Sequence, residues 1–169
     1  MPWSPPTRAA LAAGAGRLLR TRWIVRAPVG LYRARLGLLL GPRLLMLEHT
    51  GRNSGARRHV VLEVVGRPRP GTYIVVSGFG DRAQWFRNVR ADPRVRVFTG
   101  SRRPAPATAR RLSAAEAAAA LTAYATRHPR AWASLKPVLE ETLGARVDAT
   151  GTSLPVIALD LAADPARSR

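Results

Sequence analysis

The sequence predicts a small α+β domain built on a mostly antiparallel barrel, with its helices inserted late in the chain. Three observations predict this class. Strand signals rich in Val and Leu dominate residues 44 to 98. Turn-rich punctuation of hairpin type, above all Gly66-Arg67-Pro68-Arg69-Pro70-Gly71, joins them. The long helical patterns cluster after Ser113 instead of alternating with strands, so the order is not that of βαβ units. Closing so short a sheet into a barrel hides its edges.

Each element has its own signal. Leu44-Leu45-Met46-Leu47 enters a first strand that ends at Thr50-Gly51, Arg58 to Val65 is a Val-rich second, and Thr72 to Ser77 a third. Asp81 reads as an N-cap, with a short helix from Ala83 to Arg90 closed by Asp92-Pro93. Val95 and Val97 alternate with Arg94 and Arg96, the pattern of a half-buried strand. Arg102 to Leu112 supplies its hairpin partner, which Pro104 and Pro106 push to a sheet edge. Ser113-Ala114-Ala115-Glu116 forms a capping box at the head of an Ala-rich helix reaching about Arg127. Pro129 suits the first position of a second helix, with Trp132, Leu135, Leu139 and Leu143 on one face and Gly144 beyond its end. Leu154 to Leu161 is the last strand.

At 169 residues the chain fits one barrel domain (36–169) preceded by a basic helical appendage (1–35). Its net charge is +18, and Lys136 is the only lysine among 28 basic residues. Arginine and alanine together are what a GC-rich coding sequence favours, so part of the charge is compositional. The field attracts phosphates, carboxylates and anionic surfaces all the same. No acid precedes Glu48, while eight arginines do. Residues 1–35 are therefore a candidate for peripheral contact with an anionic membrane face. The best apolar run, Leu36 to Leu47, is broken by Gly41, Pro42 and Arg43, well short of the roughly 20 residues a span needs. With no secretory pattern visible either, the expected location is cytoplasmic. The absence of cysteine removes thiol catalysis, thiolate metal sites and disulfides. His49, His59 and His128 lack metal-ligand spacing, so no metal is expected.

Two segments carry candidate chemistry. Thr50-Gly51-Arg52-Asn53-Ser54-Gly55-Ala56-Arg57-Arg58 joins two strands and offers glycines, a hydroxyl and three guanidiniums in nine residues. Glycine lets backbone N–H groups turn toward an anion, and arginine adds a forked, always-charged donor set. Taken alone, such a loop is an ordinary basic turn. Ser77-Gly78-Phe79-Gly80-Asp81 leaves a strand through a Gly-flanked loop and meets a helix N-terminus, where free N–H groups favour anions. Trp85 and Phe86 follow, as core or as the wall for a flat ring.

Gly51-Arg52-Asn53-Ser54-Gly55, then Val75-Val76-Ser77, Trp85-Phe86-Arg87-Asn88 and Asp92-Pro93-Arg94-Val95 resemble the deazaflavin-dependent nitroreductase family, in matching order from about Leu36 to Leu159. The resemblance implies a split β-barrel and a bound 8-hydroxy-5-deazaflavin (coenzyme F-420), whose side chain carries a phosphate and a glutamate tail. FMN is the alternative ligand. Carried over by position, Arg52, Ser54 and Arg58 hold the phosphate and tail, and Asn53 and Gly55 of the same loop count among the cofactor-binding residues. Ser77, Gly78, Phe79 and Gly80 line the cofactor, and Trp85 packs near its ring. Where the family often has lysines, this chain has Asn53 and Gly78, with Arg57 and Arg82 as candidate replacements. Tyr124, His128 and Trp132 are the candidates for a substrate pocket, although His128 reads equally well as a helix-start residue.

The implied activity is hydride transfer from reduced deazaflavin to a quinone, enone or nitro compound. That chemistry belongs to the cofactor, so no catalytic constellation need appear among the side chains. The family also implies a homodimer. Two other classes compete: a non-catalytic carrier of a lipid or haem-like ligand in the same barrel, and a basic nucleic-acid-binding module. The charge motivates the second, but no helix-turn-helix, RNA-recognition or zinc signature appears and aromatics are 6%, so no nucleic acid is expected.

Overall fold

A computed structural model describes residues 43–100, 103–143, 146–149 and 154–162. Six strands form the barrel: β1 (Leu44–Thr50), β2 (Arg57–Gly66), β3 (Thr72–Val76), β4 (Arg94–Phe98), β5 (Ala105–Arg111) and β6 (Val156–Leu161). Among the described residues three α-helices accompany them: α1 (Gln84–Ala91), α2 (Ala114–Arg127) and α3 (Pro129–Leu143). The sheet runs β1-β2-β3-β6-β5-β4 and closes on itself where β4 pairs with β1, every pairing antiparallel. The α+β class and the barrel expected from the sequence are what the chain forms.

Period-two alternation turns one face of each strand into the barrel and the other outward. Leu45 and Leu47 of β1, Leu62 and Val64 of β2, Val75 of β3, Val95 and Val97 of β4 and Leu159 of β6 share one buried cluster. Helix α1 adds Trp85, Phe86 and Val89 to that cluster, so its apolar face joins the core of the barrel. The opposite faces of β2, β3 and β6 present Val65, Ile74, Val156 and Ala158 to Ala117, Leu121 and Tyr124 of α2. Leu139 of α3 joins Val147 and Leu154 in a third cluster. Each such apolar side chain removed from water contributes about 1.5–3 kcal/mol before the entropy of ordering it is charged against it.

The helix caps read from the sequence hold only in part. Ser113 Oγ accepts from the Glu116 N–H at 3.3 Å, and Glu116 accepts from the Ser113 N–H at 2.8 Å, a complete capping box. Asp81, expected as the N-cap of α1, is not one: Gly80–Arg82 forms a separate 3-10 turn and Ala83 is the N-cap. An extended Ala83 backbone (φ −58°, ψ 124°) separates turn from helix. The expected edge position of β5 is also corrected, because β5 pairs with both β4 and β6. Pro106 is tolerated because the β5–β6 register begins only at Ala107, and its carbonyl still accepts from the Ala162 N–H at 2.9 Å. The appendage 1–35 and its membrane reading, and Gly144, lie outside the described residues.

Candidate active site

The loop between β1 and β2 is wound tightly on itself. Gly51 N–H donates to the Ala56 carbonyl at 2.8 Å, and the N–H groups of Ser54 and Gly55 both donate to the Gly51 carbonyl, at 3.2 and 2.7 Å. Gly55 takes φ +64°, the left-handed region in which an L side chain is strained. A Cβ on Gly51 would lie 2.8 Å from Ser54 Oγ and 3.1 Å from Arg58 Nε, so this glycine lets both side chains close over the start of the loop. These internal bonds correct one expectation: the loop's amides are largely spent on the loop itself, and recognition of an anion falls to side chains.

Those side chains converge on a cleft of about 320 Å³ lined by Gly51, Arg52, Asn53, Ser54, Arg58, Gln84 and Asn88. Four of the residues named for the cofactor therefore line one cleft, while Gly55 shapes its loop from outside the lining. Gln84 and Asn88 were not among the expected site residues, although Asn88 ends the Trp85–Asn88 motif. They stand four apart on α1, hence on one helical face, and that spacing was the signal available in the sequence. The Arg52 guanidinium donates to Gln84 Oε1 at 3.0 Å and to Asn88 Oδ1 at 3.0 Å, and the Arg52 backbone N–H reaches Asn88 Oδ1 at 3.2 Å. Asn88 Nδ2 lies 3.3 Å from Nδ1 of His49, which is 5% exposed. Burial pushes the His49 pKa below the ordinary 6.5. Arg57, the candidate replacement for a family lysine, turns to the other face of β2, with Glu48 at 3.9 Å.

Ser77, Gly78, Phe79 and Gly80 form a compact bend after β3. Ser77 is fully buried and its hydroxyl donates to the Gly80 carbonyl at 2.8 Å. Helix α3 covers the bend: Leu139 Cδ2 is 3.3 Å from where a Gly78 Cβ would sit, and Leu143 Cδ2 is 3.0 Å from one on Gly80. Phe79 points outward and is 63% exposed. Trp85 and Phe86 both prove to be core, in edge contact with ring centroids 6.0 Å apart, and Trp85 is 8% exposed.

Tyr124, His128 and Trp132 gather as one aromatic cluster, with centroids 5.4 and 6.4 Å from the Tyr124 ring. Tyr124 is nearly fully buried, and its hydroxyl donates to Glu63 at 2.6 Å while accepting from Arg43. Burial first, and then the Glu63 carboxylate, push its pKa up to about 12. That hydroxyl is committed to packing α2 on β2. A second cleft of about 520 Å³ between α2 and the β2–β3 hairpin contains none of the residues expected at the site. Among the described residues no cluster of His, Asp and Glu offers a metal site, and no helix is long and apolar enough to cross a membrane.

The family model described as F420H(2)-dependent quinone reductase matches residues 22–159. The chain belongs to this family. It is accordingly an oxidoreductase whose cofactor is the reduced deazaflavin, as the resemblance of its motifs implies. The match begins inside the segment read as an appendage. Among solved structures, one described as an F420-H2 dependent reductase (FDR-A) is 27% identical over 70% of this chain and 94% of its own, with a TM-score of 0.50. A structure described as a domain-swapped dimer is 22% identical over 79% and 99% (TM-score 0.51). The haem storage protein HutZ from Vibrio cholerae is 10% identical over 82% and 91% (TM-score 0.50), a likeness of fold. No curated protein matches the chain. The cleft's donor set suits this family's cofactor: guanidiniums, a hydroxyl and a glycine-shaped wall are what a phosphate and a carboxylate tail require.

Proposed function

We propose that this deazaflavin-dependent reductase seats the cofactor's phosphate and glutamate tail in the cleft of Arg52, Asn53, Ser54 and Arg58, and passes its hydride to a small quinone, enone or nitro compound. When bound, the reduced deazaflavin supplies the hydride. The protein's residues bind and orient. Arg52 and Arg58 meet the tail's negative charge, Ser54 adds a hydroxyl, and Gly55 sets the loop's turn. The Ser77–Gly80 bend, with Trp85 behind it in the core, is the proposed support for the ring. His128 and Trp132 remain the proposed acceptor-side residues, whereas the Tyr124 hydroxyl is engaged with Glu63 and Arg43.

One observation carries the assignment. The Arg52 guanidinium is exposed in a cleft and held by two neutral amide oxygens, which orient it and leave its charge available to a ligand. Titration of the purified protein with oxidised deazaflavin tests the reading. Saturable binding is expected, with Arg52→Ala and Arg58→Ala each weakening it about tenfold or more, the worth of a charge-assisted hydrogen bond. Unchanged affinity in both variants removes the assignment. Saturable binding of haem or FMN without deazaflavin binding favours a different ligand in the same barrel. Consumption of the reduced cofactor with a panel of quinones, enones and nitro compounds then ranks the acceptors.

A further inference from the structure

Asn88 joins the cleft to the barrel interior. Its Oδ1 accepts both the backbone N–H of Arg52 at 3.2 Å and the Arg52 guanidinium at 3.0 Å. A carboxamide has one acceptor end and one donor end, so these two bonds decide which end is which. Nδ2 is left facing His49 Nδ1 at 3.3 Å. Nδ2 has only hydrogens to offer, so His49 must present a lone pair there and carry its proton on Nε2. His49 and Asn88 are 5% and 4% exposed, which denies either group water as a substitute partner.

We infer that His49 is a positioning residue for the cofactor-binding arginine: as a neutral Nε2–H imidazole it fixes Asn88 in the orientation that presents Arg52 to the anionic tail, and on protonation it releases that hold. The inference rests on the cofactor reading of the cleft given above. A proton on Nδ1 sets two donors against each other in a buried place. Turning the amide over relieves this conflict but points its NH₂ at the two N–H donors of Arg52. Either way one bond of the chain His49–Asn88–Arg52 breaks.

The surroundings disfavour a charged His49. Arg58 of β2 lies directly across from it in the strand register, and His59 follows Arg58. Burial opposes a positive charge there most strongly, a hydrogen bond with the Thr50 backbone works the other way, and His59 and Arg58 add smaller opposition. Glu48, its neighbour on β1, faces the opposite side of the sheet, where His59 (3.1 Å), Arg96 of β4 (3.7 Å) and Arg57 (3.9 Å) surround it. From α1 the facing group is Asn88.

Two measurements decide the matter. The first needs no cofactor: nitrogen NMR of the imidazole in the unliganded protein at about pH 7.5, with His49→Asn assigning the signal. An unprotonated Nδ1 with a proton on Nε2 is expected, and a protonated Nδ1 overturns the inference. The second compares deazaflavin affinity at about pH 7.5 and about pH 5 for the wild type and for His49→Asn, whose amide oxygen accepts from Asn88 but does not titrate. The ratio of the two affinities cancels titration of the cofactor itself. Between the two pH values it is expected to move about tenfold against the wild type, the size of one charge-assisted hydrogen bond. A constant ratio overturns the inference. If neither protein binds deazaflavin, the cleft reading fails, and the NMR result still establishes the state of His49.

Discussion

Two sets of arginines in this molecule differ in the company they keep. On the barrel wall Arg94 pairs with Asp92 at 3.0 Å, Arg110 with Glu116 at 3.1 Å and Arg69 with Asp160 at 3.1 Å. In the cleft the partners of Arg52 are the amide oxygens of Gln84 and Asn88. A carboxylate partner cancels a guanidinium's charge as well as orienting it. An amide orients it and leaves the charge in place. A net charge of +18 therefore says little about function by itself; the chemistry of each partner marks the cations that are left for a ligand.

The contrast is open to attack at three points, in falling order of expected effect. Gln84→Glu turns a cleft arginine into a wall arginine, because the new carboxylate replaces an amide oxygen 3.0 Å from the guanidinium. Deazaflavin affinity should fall about tenfold, with stability moving by less than about 1 kcal/mol as for other exposed pairs. Titration and chemical denaturation check the two halves, and unchanged affinity would erase the distinction between the two sets. Tyr124→Phe probes the polar network on the wall that joins Arg43, Glu63 and the buried phenol. Removing the hydroxyl should cost about 1 kcal/mol near neutral pH, measured by denaturation. The Tyr124 pKa is raised from 10.0 to about 12, so this contribution is complete below about pH 10 and fades as pH rises through about 12. Absorbance titration of the tyrosines should find one that ionises late in the wild type and is missing from the variant. Arg96→Ala should do least: Arg96 lies 3.7 Å from Glu48, which retains His59 and Arg57, so cofactor affinity should change less than about twofold.

Local physics made much of the fold legible. The alternation of Val95 and Val97, the Gly66–Gly71 connection and the Ser113/Glu116 box each signal within a few residues of chain, and each formed as read. What escaped depended on contacts far apart in sequence. Nothing near Pro106 reveals that β5 has neighbours on both sides, because that follows from β6, beyond both late helices, returning to pair with it. Ala83, not Asp81, caps α1, and nothing in its neighbours shows that its backbone separates the Gly80–Arg82 turn from the helix. At the site, Arg52, Asn53, Ser54 and Arg58 were legible as a basic loop. The holders of Arg52 were not, since Asn88 is 36 residues away from it in the chain and 39 from His49.

The closure of the barrel is uneven, and that unevenness has a use. Strand β1 pairs with β2 along all seven of its residues, but its register with β4 covers only Met46, Leu47 and Glu48. His49 and Thr50 run on past the seam with a neighbour on one side only. Asn88 of α1 meets His49 at this end of the strand, and the Gly51 loop follows Thr50 directly. The last two residues of β1, held to β2 alone, thus carry the buried histidine and lead directly into the loop that bears Arg52.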